Sequence, residues 1–63
     1  MLEVIVETWT EPRTGTTYRW SLWQDGTRLA MGGPHRSPEE SEAEARQFCL
    51  ERGARPPDRV TRL

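Results

Sequence analysis

Tyr18-Arg19-Trp20-Ser21-Leu22-Trp23-Gln24-Asp25-Gly26-Thr27-Arg28-Leu29-Ala30-Met31 reads as a β-hairpin, and the fold follows from where its tip is placed. Asp25-Gly26 is a dipeptide that accepts positive φ at both positions, as the type I′ turn of a two-residue hairpin loop requires. With that tip, Gln24 faces Thr27, Trp23 faces Arg28, Leu22 faces Leu29, Ser21 faces Ala30 and Trp20 faces Met31. Side chains alternate between the two faces of a strand. Tyr18, Trp20, Leu22, Leu29 and Met31 are therefore expected on one face, and Arg19, Ser21, Trp23, Arg28 and Ala30 on the other.

Working outward toward the N-terminus, Leu2 to Trp9 reads as a first strand. Leu2, Val4 and Val6 alternate with Glu3, Ile5, Glu7 and Trp9. The aliphatic set belongs with Trp20 and Leu22, which leaves Ile5 and Trp9 on the outer face. Thr10 to Thr16, with Pro12 and Gly15, is the loop that closes a three-stranded antiparallel meander.

Toward the C-terminus, Gly32-Gly33-Pro34 ends the third strand and a helix begins at Ser37. Ser37 is an N-cap, Pro38 suits the first helical position, and Glu40 completes a Ser-x-x-Glu capping box. Glu39, Glu40, Glu42 and Glu44 load the start of the helix and Arg46 and Arg52 its end, which matches the helix dipole. Gly53 is the natural stop. At 100° per residue, Ser41, Ala45, Phe48, Cys49 and Arg52 form the stripe that meets the sheet, with Phe48 as its main plug. Leu50 lies roughly opposite. Asp58 to Leu63 reads either as a short fourth strand, which would give Val60 and Leu63 cover, or as a basic tail.

The expected architecture is thus one α+β domain over residues 1–63, a three-stranded antiparallel meander with one helix on one face. The expected core is Leu2, Val4, Val6, Tyr18, Trp20, Leu22, Leu29, Met31, Ala45, Phe48 and Cys49. A chain of 63 residues buries only roughly 60% of the surface its unfolded form exposes and is marginally stable alone. Cys49 is the lone cysteine, so no intrachain disulfide supports it. One cysteine and one histidine do not build an ordinary zinc site, which takes about four ligands. No metal or cofactor is expected. Self-association, as a homodimer, is the remaining aid.

Glu3 and Glu7 interrupt the first apolar stretch, so neither a signal peptide nor a membrane span is expected, and a cytoplasmic protein is the default. All nine basic residues are arginine, with no lysine, a trace of GC-rich coding of the kind found in bacteria and their phages. The net charge is −1. It divides into zero over residues 1–36, −4 over 37–51 (five acids and Arg46) and +3 over 52–63 (four arginines and Asp58).

Catalysis finds little support. His35 and Cys49 are the obvious base and nucleophile, but Cys49 lies on the inward stripe, where a cysteine behaves as a small hydrophobe. Gly32-Gly33-Pro34 lacks the spacing and the lysine of a phosphate loop. A non-enzymatic role is expected.

The outer sheet face carries more. Ile5, Trp9 and Trp23, with Leu50 of the helix, are the candidate protein interface, since interfaces are enriched in such anchors. Trp23 opposite Arg28 suits a cation–π contact of about 0.5–1 kcal/mol. The same face gives the alternative of nucleic-acid binding through Arg19, Trp23, Arg28 and the terminal Arg55, Arg59 and Arg62, because single strands bind by stacking and charge. Two tryptophans simply covering a thin sheet is a third reading of the same residues.

Two resemblances rest on these residues. Tyr18-Arg19-Trp20-Ser21-Leu22, Asp25-Gly26, Leu29-Ala30 and a helix begun by Ser37 resemble the YegP-like domains, small ββα-containing modules of uncharacterised function, over Tyr18 to Cys49. Those domains often occur as tandem copies, so the resemblance implies pairing between chains for a single copy; it supplies no catalytic residues. More remotely, three strands followed by a helix are similar to the arm-type DNA-binding domains of phage integrases. That likeness implies a sheet in the major groove, with Arg19, Trp23 and Arg28 at the matching positions.

Overall fold

The computed structural model describes residues 1–63. The elements are β1 (Leu2–Glu11), β2 (Gly15–Gln24), β3 (Thr27–His35), α1 (Pro38–Gly53) and β4 (Arg59–Arg62). They form a four-stranded sheet in the order β3-β2-β1-β4, with β4 parallel to β1 and the other pairs antiparallel. The helix covers one face. This is the expected α+β fold, and the C-terminal segment is a strand rather than a tail.

The meander is longer than its sequence suggests. The β1–β2 ladder runs without a break from Leu2↔Gln24 to Glu11↔Gly15, so the connection shrinks from Thr10–Thr16 to Pro12–Thr14. Thr8, Thr10, Thr16 and Thr17 are β-branched and sustain strand geometry, while Pro12, which cannot donate to a ladder, is kept in the turn.

The hairpin tip lies at the expected dipeptide. Asp25 has φ 49° and Gly26 φ 86°, the positive pair that a type I′ loop demands. Gln24 pairs with Thr27 and Trp23 with Arg28, but then the register shifts and Leu22 meets Ala30, Ser21 meets Met31 and Trp20 meets Gly32. One extra residue on β3, Leu29, reverses the facing of Ala30 to Gly32, and a second shift before His35, which pairs with Tyr18, restores it. Leu29 and Met31, expected in the core, are instead 56% and 57% exposed. Ala30, expected outside, packs against the core. The cause is the size of Trp20. Its indole occupies the space beneath β3 so fully that a Cβ on Gly32 would lie 2.7 Å from Cε2, Cζ2 and Nε1. The straight register would place the Met31 side chain there; the shifted one offers Ala30 and Gly32.

The helix starts at the expected cap. Ser37 has extended backbone, and its Oγ accepts from Glu40 N–H at 3.1 Å, while the Glu40 carboxylate accepts from Arg36 N–H at 3.2 Å. Ser41, Ala45 and Cys49 are buried at successive turns, so small side chains let the helix lie close to the sheet. Phe48 is less a plug than a flank: it is partly buried, with its ring 5.4 Å from that of Trp20 at 51°. The helix runs through Gly53, and Ala54, not the glycine, takes the left-handed cap at φ 56°.

β4 is held at its start by Asp58. The Asp58 carboxylate accepts from Leu2 N–H at 2.7 Å, and its own N–H donates to Leu2 C=O at 2.8 Å. Val60 pairs with Val4 and packs on the core. Leu63, for which cover was expected, is 73% exposed, although its N–H still donates to Val6 C=O. The buried apolar set is Leu2, Val4, Val6, Trp20, Leu22, Ala45 and Cys49, with Tyr18, Ala30, Phe48 and Val60 partly buried around it. No helix is long and apolar enough to cross a membrane.

Two substitutions test this account by urea unfolding. Gly32→Ala should destabilise by about 1–3 kcal/mol, the range for forcing an extra methyl into a packed site. Ala54→Gly should stabilise by roughly 1 kcal/mol, since a non-glycine left-handed residue carries about that penalty.

Candidate interaction surface

Alternation along the strands fixes which side chains share the face away from the helix. With Val4, Val6, Trp20 and Leu22 beneath α1, the open face carries Glu3, Ile5, Glu7 and Trp9 from β1 and Arg19, Ser21 and Trp23 from β2. Arg59 and Thr61 join them from β4 through their bonds to Glu3. Nothing in the chain packs over this face as a layer.

Its two tryptophans are held differently. Trp23 Nε1 donates to Ser21 Oγ at 2.8 Å, which lays the indole along its own strand and buries Ser21. Trp9 is 45% exposed, and the Arg19 guanidinium stacks over it at 5.1 Å from the ring centroid. The cation–π pair on this face is therefore Arg19 with Trp9, not the expected Arg28 with Trp23. Trp23 stands opposite Glu3 and Trp9 opposite Thr17, so the two anchors lie six residues apart, about 20 Å at ~3.4 Å per residue. Ile5, Glu7 and Arg19 fill the interval. Beside Trp23 a shallow hollow is lined by Met1, Glu3, Ile5, Asp25 and Gly26.

Ile5, Trp9 and Trp23 thus share one surface. Leu50 does not join them. It is 51% exposed on the helix, on the other side of the sheet.

The arginines expected to contact nucleic acid are dispersed and mostly engaged. Arg59 Nε lies 2.9 Å from Glu3, Arg55 lies 3.3 Å from Asp58, and Arg62 reaches Glu39 at 3.0 Å and Glu42 at 2.9 Å on the helix. Arg19 stacks on Trp9 and lies 3.8 Å from Glu11. Arg28 is exposed, with no carboxylate within ion-pair range. These pairs hold the carboxyls below their ordinary range: Glu3 through the Arg59 guanidinium, Glu42 through Arg46 and then Arg62, and Asp58 chiefly through the Leu2 N–H.

A second polar cluster lies on the helix side and went unseen in the sequence. Trp20 Nε1 donates to Glu44 Oε1 at 2.7 Å, and His35 Nε2 lies 3.1 Å from the same oxygen. The His35 contact lacks hydrogen-bond alignment, leaving Nε2 within ion-pair reach only. The Trp20 bond, with His35 second, holds the Glu44 carboxyl below its ordinary value. The signal was Glu44 one turn before Phe48, but His35 reaches it only because β3 continues to residue 35. His35 thus meets Glu44 rather than Cys49. Burial pushes the Cys49 thiol up, which keeps it protonated. No three His, Cys, Asp or Glu side chains are grouped to hold a metal ion.

Compared with family models, curated proteins and solved structures, the chain matches none.

The depressed carboxyls set a direction for stability against pH. Ordinary values near 4.5 for Glu3, Glu42 and Glu44 and near 3.8 for Asp58 apply in the unfolded chain, and each is lower in the folded one. Their contribution is complete above the unfolded values and is lost as pH falls through the folded ones. Tm should hold steady from neutral pH down to about 5 and drop progressively below it. Glu44→Gln should flatten part of that acid limb, read by circular dichroism.

Proposed function

We propose that this chain is a non-enzymatic interaction module that self-associates, with the open sheet face as its contact surface. The observation that carries the reading is the asymmetry of the sheet. One face is given over to α1, while the other has no covering layer and yet holds the exposed Trp9 and the half-buried Ile5 and Trp23. Tryptophan anchors of this kind dominate the energetics of protein interfaces. Trp23 fixed by Ser21 and Trp9 fixed by Arg19 have little rotamer freedom left to lose on docking, and immobilising a side chain at an interface ordinarily costs about 0.5–1.5 kcal/mol. A second copy of the chain is the occupant that its size favours, because 63 residues supply only a small core.

Nucleic-acid binding through Arg19, Trp23, Arg28, Arg55, Arg59 and Arg62 draws less support. Arg55, Arg59 and Arg62 are neutralised by Asp58, Glu3, Glu39 and Glu42, and Glu3 and Glu7 share the tryptophan face.

Sedimentation equilibrium of the wild type, Trp9→Ala and Trp23→Ala separates the readings. The expected result is an associated wild type whose dissociation constant rises by about 30-fold or more in either variant, the factor for losing an anchor of ~2 kcal/mol. An unchanged mass in both variants would remove the open face as the contact. Binding of a single-stranded oligonucleotide that weakens steeply with salt and is lost in Arg19→Ala/Arg28→Ala would put the nucleic-acid reading in its place.

A further inference from the structure

The sheet has two edges, and they are finished differently. β4 is four residues long, and its Arg59 and Arg62 are tied to Glu3, Glu39 and Glu42. Short, charged edge strands of this kind resist pairing with another chain. β3 is nine residues long and carries no carboxylate. Its two register shifts fall at Leu29 and between Gly32 and His35, where Pro34 lies, which leaves Ala30–Gly32 in regular register between them. Leu29, at the first shift, and Met31, within the stretch, are the exposed large apolar residues of the strand.

The helix flank above β3 is matched to this stretch. Phe48 borders two hollows. One also touches Leu29 and Arg52, the other Met31, Gly32, Glu44 and Glu51. Phe48 therefore stands level with Ala30. Arg52 and Glu44 lie one turn to either side of it, Arg52 with its guanidinium 5.5 Å over the Phe48 ring and no carboxylate in ion-pair range.

We propose that a second copy of this chain pairs antiparallel with β3, about a two-fold axis through Ala30. This rests on the proposed self-association and adds a second contact, to a different copy from the one that covers the open face. Around that axis Ala30 faces the partner's Ala30 on the helix side, and each Met31, level with Ser21 on the open face, lies against the partner's edge. The same axis passes beside Phe48, so Arg52 of each helix comes opposite Glu44 of the other. Two helices centred over β2 of each protomer would be three strand spacings apart, about 14 Å at ~4.8 Å per strand. Helices with their side chains are about 10–12 Å across, so the two helices approach side-chain contact along the flanks that carry Phe48. An axis of this kind stands perpendicular to the sheet. Both helices fall on one side of an eight-stranded sheet, and both open faces merge on the other.

The register makes the test specific. Residues directly opposed in an antiparallel pair have Cα atoms about 4.5–5.5 Å apart, inside the span a disulfide bridges. Ala30→Cys should give a disulfide-linked pair under mild oxidation, while Thr27→Cys should not; buried Cys49 stays out of the reaction. Met31→Lys, at an exposed site, should keep the near-ultraviolet signal of packed Trp20 and raise the dissociation constant by tenfold or more. Arg52→Glu, which leaves the Glu44–Trp20 bond intact, should weaken association. A wild type that is monomeric at millimolar concentration, equal linkage at residues 27 and 30, or unchanged association in Met31→Lys overturns the proposal. The two contacts fail separately. Loss in Trp23→Ala without loss in Met31→Lys leaves the open face and removes the edge, and the reverse pattern does the opposite.

Discussion

The indole of Trp20 is the constraint on which the remaining arrangement depends. It lies between the sheet and α1, 4% exposed, against Gly32, tilted at 51° to the Phe48 ring and with its N–H on Glu44. A buried indole needs an acceptor for that N–H, and Glu44 is placed to accept because Ser37 starts the helix where it does. The same ring excludes any side chain at residue 32 and so imposes the extra residue on β3. Helix register, strand register and the exposure of Leu29 and Met31 thus follow from one side chain finding room.

The sheet divides the work between its faces. Beneath the helix, contacts are tight and small: Ser41, Ala45 and Cys49 against Val4, Val6 and Leu22. Above, the tryptophans are held by local bonds within their own or the adjacent strand, Trp23 by Ser21 and Trp9 by Arg19. The charged residues at the C-terminal end knit β4 into both layers. Arg59 reaches Glu3 on the open face and Arg62 reaches Glu39 and Glu42 on the helix. Pairs this exposed contribute little stability each; their effect is to take the terminal arginines out of any free basic patch.

Much of this was legible in the chain. Asp25-Gly26, the alternation of Leu2, Val4 and Val6, and Ser37-Pro38-x-Glu40 each carry a local chemical signal, and each placed its element correctly. The facing of Trp20 and Trp23 followed from the tip alone, and with it the separation of Ile5, Trp9 and Trp23 from the core. What failed was whatever depended on the volume of a distant side chain. Nothing local to Leu29-Ala30-Met31 announces a bulge, since the pressure comes from Trp20 on the neighbouring strand. The left-handed cap at Ala54 was hidden by the glycine before it, the stronger local candidate. The Arg19–Trp9 stack and the His35–Glu44 contact each join residues whose proximity is set by strand lengths that the loop residues Thr10 and Gly33 obscured.

The parallel placement of β4 beside β1 has a consequence for the order in which the molecule assembles. Glu3 and Arg59 are 56 positions apart along the chain. Closing a segment of that length from the unfolded ensemble is entropically dearer than closing the hairpin at Asp25-Gly26, by about 3 kcal/mol on a logarithmic length dependence. Once α1 is seated on the meander, the same closure spans only Ala54 to Asp58. On this length dependence the last strand costs least to close onto a platform already built. The β1 edge that it covers is the part of the sheet that its release would lay bare.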